Sequence, residues 1–500
     1  MADLRLLIGA PAIGALLVLL APARWARVVG GLAAAATLVA GVLAVAAEPT
    51  GLAVAWSWIP ALGLRLALGI DGLAMPGVLV ICLVGQVAAL APGSARGAIA
   101  GGLLVQATLL ALVLAQDLGL LVGCHALLAP LIAGLVASGP AAERLRAGQA
   151  AGLYLALGTA ALAVLAGLLA VAHHDASGGV WDLSLAALAQ VQLPRGLEAA
   201  VGGLALLAGA LTLGLWPLHG WLVAAGSAAP TGPALLIAGP VRWVGAYLLM
   251  RLWLPLAPVS AAAGAFGIAV LAVVGGLVSG LCARAEPDER RALLLATLTP
   301  TGLLVLGLCG QHHEGAVGAG LLALVVSLGG AAGLLALAGG AGRRWAGLAL
   351  LPAPGLAGCV GAAFVLIGTA RFAGLTLGGR GWALALAAGL ALVAGVGALA
   401  VRTGREGHGA GDRNHGTGRW MVIGALVLAA PLAAIGGWPG PWLVRVNASG
   451  RALVEAAVLR RCEAQARAVT APTMLAKEAS DACSQPLRAL EQAAEREAEG

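Results

Sequence analysis

The chain has 500 residues, 60% of them hydrophobic and only 10% charged, with 76 glycines and a mean hydropathy of +0.97. That composition excludes a water-soluble protein and defines a polytopic membrane protein, because apolar runs of about 20 residues, each able to cross a hydrocarbon core of roughly 30 Å, recur along nearly the whole sequence. The balance of 29 basic to 22 acidic residues points to no nucleic-acid partner, since the arginines are scattered between apolar runs as loop anchors in a lipid bilayer.

About fourteen transmembrane helices are expected, starting near residues 5, 28, 70, 98, 118, 148, 197, 233, 257, 291, 315, 347, 381 and 420. The first run, Leu4 to Leu20, lacks a basic leader and reads as a retained helix. Loop charge sets the orientation. With the N-terminus outside, the cytoplasmic connections hold Arg24, Arg27, Arg96, Arg144, Arg146, Arg284, Arg290, Arg291, Arg343 and Arg344, then Arg402, Arg405, Arg413 and Arg419. The positive-inside rule then places both termini on the periplasmic or exterior side of a bacterial inner membrane.

Cys82, Cys124, Cys282, Cys309 and Cys359 lie in apolar segments and read as small hydrophobes. His173, His174 and Asp175, and separately His312, His313 and Glu314, read as solvated span ends, because neither triplet has the spacing of a zinc motif. No metal or cofactor is expected: there is no flavin, haem or iron–sulphur motif. The segment Val180 to Leu193 alternates Trp and Leu with polar residues, as an interfacial segment does. Residues 402–419 read as a glycine-rich cytoplasmic loop, 420–444 as the last transmembrane helix and 445–500 as an exterior helical tail. In that tail Cys462 and Cys483 flank Pro472, and two antiparallel helices hinged there would bring the thiols together as a disulfide.

The stretch from Thr212 to Trp243 carries Pro217, Pro230, Pro233, Pro240, His219 and Arg242 between long apolar runs. Backbone freed by proline at membrane depth is allowed only where it is buried in protein or lines a hydrated cavity, and an ionisable residue there marks an ion or proton route. This stretch is the expected functional centre. A second proline interruption, Pro352 with Pro354, falls in a corresponding place further along. Paired breaks of this kind are the signature of inverted repeats.

Three motifs, in order, carry a family resemblance. GIDGLAMPGVLVICL (Gly69 to Leu83), PLHGWLVAAGSAAPTG (Pro217 to Gly232) and DERRALLLATLTPTG (Asp288 to Gly302) resemble signatures of the antiporter-like subunits of respiratory complex I. They cover about residues 60 to 400 and are most like the M-type complex I subunit and the D-type subunit of Mrp cation/proton antiporters. The resemblance implies two inverted five-helix repeats with discontinuous helices 7 and 12. The chain then divides into helices 1–3 (residues 1–97), a first repeat (98–256) and a second repeat (257–401).

It also implies a row of buried charges, which this sequence largely lacks. The family's helix-five glutamate falls on His125, its helix-seven lysine on Thr212, its helix-eight lysine on Arg242, its helix-twelve acid near Ala362 and its helix-ten histidine on Pro300, while the motif histidine stays as His219. The whole chain holds a single lysine, Lys477, in the tail. Arginine keeps its charge and cannot pass a proton on, so His125 and His219 are the groups with suitable titration. For His219 a second reading is a structural histidine bonding backbone freed by Pro217, and for His125 a satisfied core residue. Arg242 near the bilayer centre costs roughly 2.5 to 3.5 kcal/mol and needs a partner, Asp71 or a neighbouring subunit's carboxylate, unless it snorkels to a surface. Asp71 itself reads as a helix cap. The expected role is an antiporter-like membrane subunit of a complex I-type NADH:quinone oxidoreductase or a related proton-translocating complex, with a depleted proton path, other membrane subunits as partners and electron transfer left to them. A structural or docking subunit without transport, and a cation/proton transport subunit of the Mrp or inorganic-carbon-uptake kind, are the alternatives.

Overall fold

A hydrocarbon solvent offers the backbone no hydrogen-bond partner, so apolar runs of this length become helices that pair their amides and carbonyls internally. The computed structural model describes residues 4–47, 51–138, 141–340, 356–372, 387–389 and 415–437. In chain order the helices are α1 (Leu4–Leu20), α2 (Ala26–Ala46), α3 (Ala74–Ala89), α4 (Arg96–Leu114), α5 (Leu118–Ala137) and α6 (Ala142–Ala176). There follow the one-turn α7 (Leu185–Leu188), α8 (Arg195–Leu213) and α9 (Gly220–Ala228). The rest are α10 (Thr231–Leu256), α11 (Pro258–Ala285), α12 (Glu289–Cys309), α13 (His313–Ala338), α14 (Ala357–Phe372) and α15 (His415–Gly437).

Ten helical spans among the described residues are long and apolar enough to cross a membrane, and three shorter apolar helices, Leu4–Leu20, Ala74–Ala89 and Ala357–Ala370, accompany them. The protein is a multi-pass, mainly helical membrane protein. The span expected from about residue 381, Pro352, Pro354 and both tail cysteines, Cys462 and Cys483, fall outside the described residues, apart from 387–389. The bundle is graded from the inside out: α10, α12 and α13 are buried through nearly all of their most apolar stretch, whereas α2, α5, α6, α11 and α15 bury fewer than half of the residues in theirs.

One element departs from an all-helical expectation. Residues 51–70 form an antiparallel hairpin of β1 (Gly51–Ile59) and β2 (Leu64–Ile70), with Trp56 opposite Leu66 and Ser57 opposite Arg65. The third span therefore begins at Ala74 rather than near residue 70. The cause is local: apolar and polar residues alternate across Trp56, Ser57 and Trp58, the two tryptophans face outward, and Gly63 closes the turn at φ 66°. The hairpin is pinned from three sides. The Gln116 amide donates to the Ala67 carbonyl at 2.9 Å, the Arg65 amide to the Asp117 carboxylate at 3.4 Å, and the Arg65 guanidinium pairs with Asp182 at 3.1 Å.

Candidate functional site at the broken helix

The interruption expected at Pro217 is present. α8 ends at Leu213, Gly214 takes a left-handed conformation at φ 70°, the Trp216–Pro217 peptide is cis, and helix resumes at Gly220. A side chain at Gly214 would be strained by that φ. Ending a helix inside protein leaves carbonyls to be satisfied, and each partner here is specific. Ala210 O accepts from the Leu215 amide at 2.9 Å, Leu211 O from the Trp221 indole at 2.8 Å, and Leu213 O from Nε of Arg242 at 3.1 Å. The second half, α9, ends in the same way. Nη1 of Arg290 donates to the carbonyls of Ser227 (3.5 Å) and Ala229 (3.0 Å), and Nη2 donates to the Thr231 hydroxyl at 3.3 Å. A cation at a helix C-terminus meets the negative end of the helix dipole.

Arg242 is fully buried. Beyond Leu213 O it donates from Nη1 to the Thr297 hydroxyl at 2.6 Å and from Nη2 to the Thr301 hydroxyl at 2.5 Å. Those threonines, one turn apart on α12, donate their own protons to the carbonyls of Leu294 and Thr297, which leaves lone pairs for the guanidinium. Burying this charge is supported by hydroxyls, a carbonyl and a helix end instead of an acid. Gly245, one turn on, makes the approach possible: a Cβ there would stand 2.2 Å from the Leu213 amide nitrogen. Arg242 is bracketed by π-turns at Ile237–Val241, which contains Pro240, and at Leu249–Trp253, and such turns concentrate at functional sites.

The partner suggested for Arg242 is corrected by this geometry. Asp71 lies at one membrane end and pairs with Arg251, nine residues further along α10, while Arg251 also donates to Gln116 Oε1 at 2.9 Å. The expectation that Asp71 caps the helix beside it agrees with the contact found: its Oδ1 accepts from the Ala74 amide at 2.9 Å.

His125 is also fully buried, with Nδ1 2.8 Å from the Thr159 hydroxyl on α6 and Nε2 2.9 Å from the Thr212 hydroxyl on α8. Both threonines donate to carbonyls one turn back, Leu155 and Ala208. A neutral imidazole has one donor and one acceptor nitrogen, so one threonine must turn its proton from its carbonyl to the ring. A protonated ring satisfies both hydroxyls as they stand. Thr212 precedes Leu213, so the cluster of Thr159, His125 and Thr212 adjoins that of Arg242, Thr297 and Thr301 through one peptide unit of α8.

His219 stands apart from this row. It is half-buried at the start of α9 beside the backbone of Pro217, and its Nδ1 has no hydrogen-bond partner among the described residues. Ala362, where the family's acid falls, is buried and cannot titrate. Sequence reasoning missed Thr159, Thr297, Thr301, Arg251, Gln116 and Arg290. Of these only the threonines of TLTPT, at positions 297, 299 and 301 in an apolar helix, left a visible trace.

The described residues thus form a multi-pass bundle with one helix broken beside a buried arginine. Residues 115–347 match the family described as NADH:quinone oxidoreductase/Mrp antiporter, TM. Among curated relatives, NAD(P)H-quinone oxidoreductase chain 4 1 of Synechococcus elongatus is 31% identical over 330 residues, 65% of this chain and 60% of that one. Its counterpart from Picosynechococcus sp. is 30% identical over 53% of this chain and 49% of its own length. The chain thus spans about half to three-fifths of these relatives. In fold it is similar to a chain of respiratory complex I from Thermus thermophilus (TM-score 0.79, 23% identity, 91% of this chain and 100% of that one). It is similar also to a chain of the Mrp complex from Dietzia sp. (0.75, 20%, 90% and 51%) and to one of an archaeal membrane-bound sulfane sulfur reductase (0.72, 19%, 91% and 98%).

Proposed function

We propose that the protein is an antiporter-like membrane subunit of a complex I-type NADH:quinone oxidoreductase or a related redox-linked complex of a bacterial inner membrane, with a thinned proton path centred on His125. The observation that carries this reading is the hold of Thr159 and Thr212 on both nitrogens of His125, on a line that ends at the buried charge of Arg242. A proton arriving at His125 makes both ring nitrogens donors to waiting hydroxyls, and its departure frees one threonine to donate to the ring. Arg242 keeps its charge throughout and disfavours a second lasting charge nearby, so the proton's stay on His125 is short. Redox chemistry belongs to partner subunits. The relatives, NAD(P)H-quinone oxidoreductase chain 4 proteins, support the same assignment; on this reading the chain holds two repeats at residues 98–256 and 257–401, about fourteen spans and both termini outside.

The test is proton translocation by the purified assembly in liposomes. His125→Ala is expected to lower protons moved per electron, with His219→Ala the smaller effect. Unchanged stoichiometry in both would favour the second reading, a docking subunit without transport, to which the absence of any lysine from the described spans lends weight.

A further inference from the structure

Three arginines gather at one end of the bundle formed by α1, α2 and α4. Arg24 precedes Trp25 in the tight turn from α1 to α2, Arg27 lies in the first turn of α2, and Arg96 opens α4 and donates from Nη1 to the Ala21 carbonyl at 3.4 Å. α2 and α4 leave this end side by side. Gly30 rests on Ile99, where a Cβ would stand 2.5 Å from Ile99 Cγ2. Each of these residues is three positions beyond its arginine, Arg27 and Arg96, so the two guanidinium-bearing turns lie level. All three arginines are exposed, and the ion pairs among the described residues, Arg65–Asp182 and Arg251–Asp71, involve none of them. Directly beside the cluster the outer faces of α1 and α2 are bare and apolar: Leu17, Leu20 (73% exposed), Trp25, Val28 and Leu32 (67% exposed).

We propose that this corner binds an anionic glycerophospholipid, its phosphate among Arg24, Arg27 and Arg96 and its acyl chains along Leu17, Leu20, Val28 and Leu32. Arginine presents a planar fork suited to phosphate oxygens, and basic clusters beside transmembrane helices attract acidic headgroups. The apolar face needs hydrocarbon within reach of that charge, and Trp25 sits where an indole marks headgroup level. A zwitterionic lipid brings its own ammonium, which cancels the attraction; this selects phosphatidylglycerol or cardiolipin. The charges lie at a membrane end with no described acid beside them, so the site is independent of the path through His125.

Native mass spectrometry of the full-length protein, titrated with phosphatidylglycerol and with phosphatidylcholine, tests the site. Wild type is expected to retain phosphatidylglycerol at least about tenfold more strongly, and Arg24→Gln/Arg27→Gln/Arg96→Gln to fall to the phosphatidylcholine level. The corresponding triple lysine variant, which keeps the charge and the topology signal, should retain most of the preference; should the triple glutamine variant fail to fold, Arg96→Gln alone must still lower it. Equal retention of the two lipids by wild type, or an unchanged preference in the folded glutamine variants, overturns the proposal. So does phosphatidylglycerol binding that emerges only after a copurifying subunit is stripped away, which would assign the surface to that subunit.

Discussion

Nε of Arg242 and the carbonyl oxygen of Leu213 meet at 3.1 Å, so a fixed positive charge stands where α8 stops. The contact ties the one fully buried arginine of the described spans to the residue after Thr212, and thereby joins the histidine half of the site to the threonine pair on α12.

Gly245→Ala should break this contact while leaving both partner residues unsubstituted. Its methyl group would collide with the backbone of Leu213, which has no rotamer to yield. Overpacking of this kind costs about 1–3 kcal/mol. A lowered unfolding temperature in detergent, together with a proton-translocation defect, is the expected pair of results; wild-type values for both would mean that α8 and α10 do not meet so closely.

Thr212→Val keeps the shape of the side chain and deletes the hydroxyl facing Nε2 of His125. An unsatisfied buried polar atom costs about 1–3 kcal/mol. Thr212→Ser should behave as wild type in both stability and translocation, which separates loss of the hydroxyl from loss of packing.

Asp71 has two tasks, which two substitutions divide. Asp71→Asn retains an oxygen for the Ala74 amide and loses the charge facing Arg251, whereas Asp71→Leu loses both. The pair is partly exposed, so the ionic part is expected to contribute under about 1 kcal/mol, and the cap about 0.5–2 kcal/mol. A double-mutant cycle with Arg251→Gln measures the first; a coupling well above that range would show that the pair is shielded from water.

Low pH should loosen the start of α13. His312 lies between two spans, and its Nδ1 accepts from the Gly315 amide at 2.9 Å, which requires the unprotonated ring. Burial holds this imidazole below the usual histidine range, against the opposing pull of Glu314 and with a smaller push from His313. A base with a depressed folded pKa supports stability that is full above its unfolded value of about 6.5. That support is lost as pH falls through the folded value. His312→Asn, an acceptor that does not titrate, should flatten the acid side of a plot of unfolding temperature against pH; an unchanged slope would place the titration elsewhere.

The spans and the break at Pro217 were legible because hydropathy and proline act locally. The row of candidates was legible only in part. His125 and Thr212 do meet and Arg242 adjoins them, but His219 does not join, and Asp71 belongs to Arg251 because nine residues of α10 separate the two arginines along the membrane normal. Thr159, Thr297 and Thr301 escaped notice because helical threonines bond to their own preceding turn and look inert, so that only tertiary structure shows what their lone pairs face. The hairpin was hidden for another reason: residues 51–70 are apolar enough to pass for membrane helix, and only the alternation around Trp56 and Trp58 betrays a strand.

α12 has hold of both stumps of the interrupted helix. Arg290 in its first turn grips the end of α9, and Thr297 and Thr301, at helical spacing along the same face, hold the guanidinium that closes α8. Mechanically it acts as a splint: one helix is fastened to the end of α8 at the break and to the far end of α9, so the two halves share a common support.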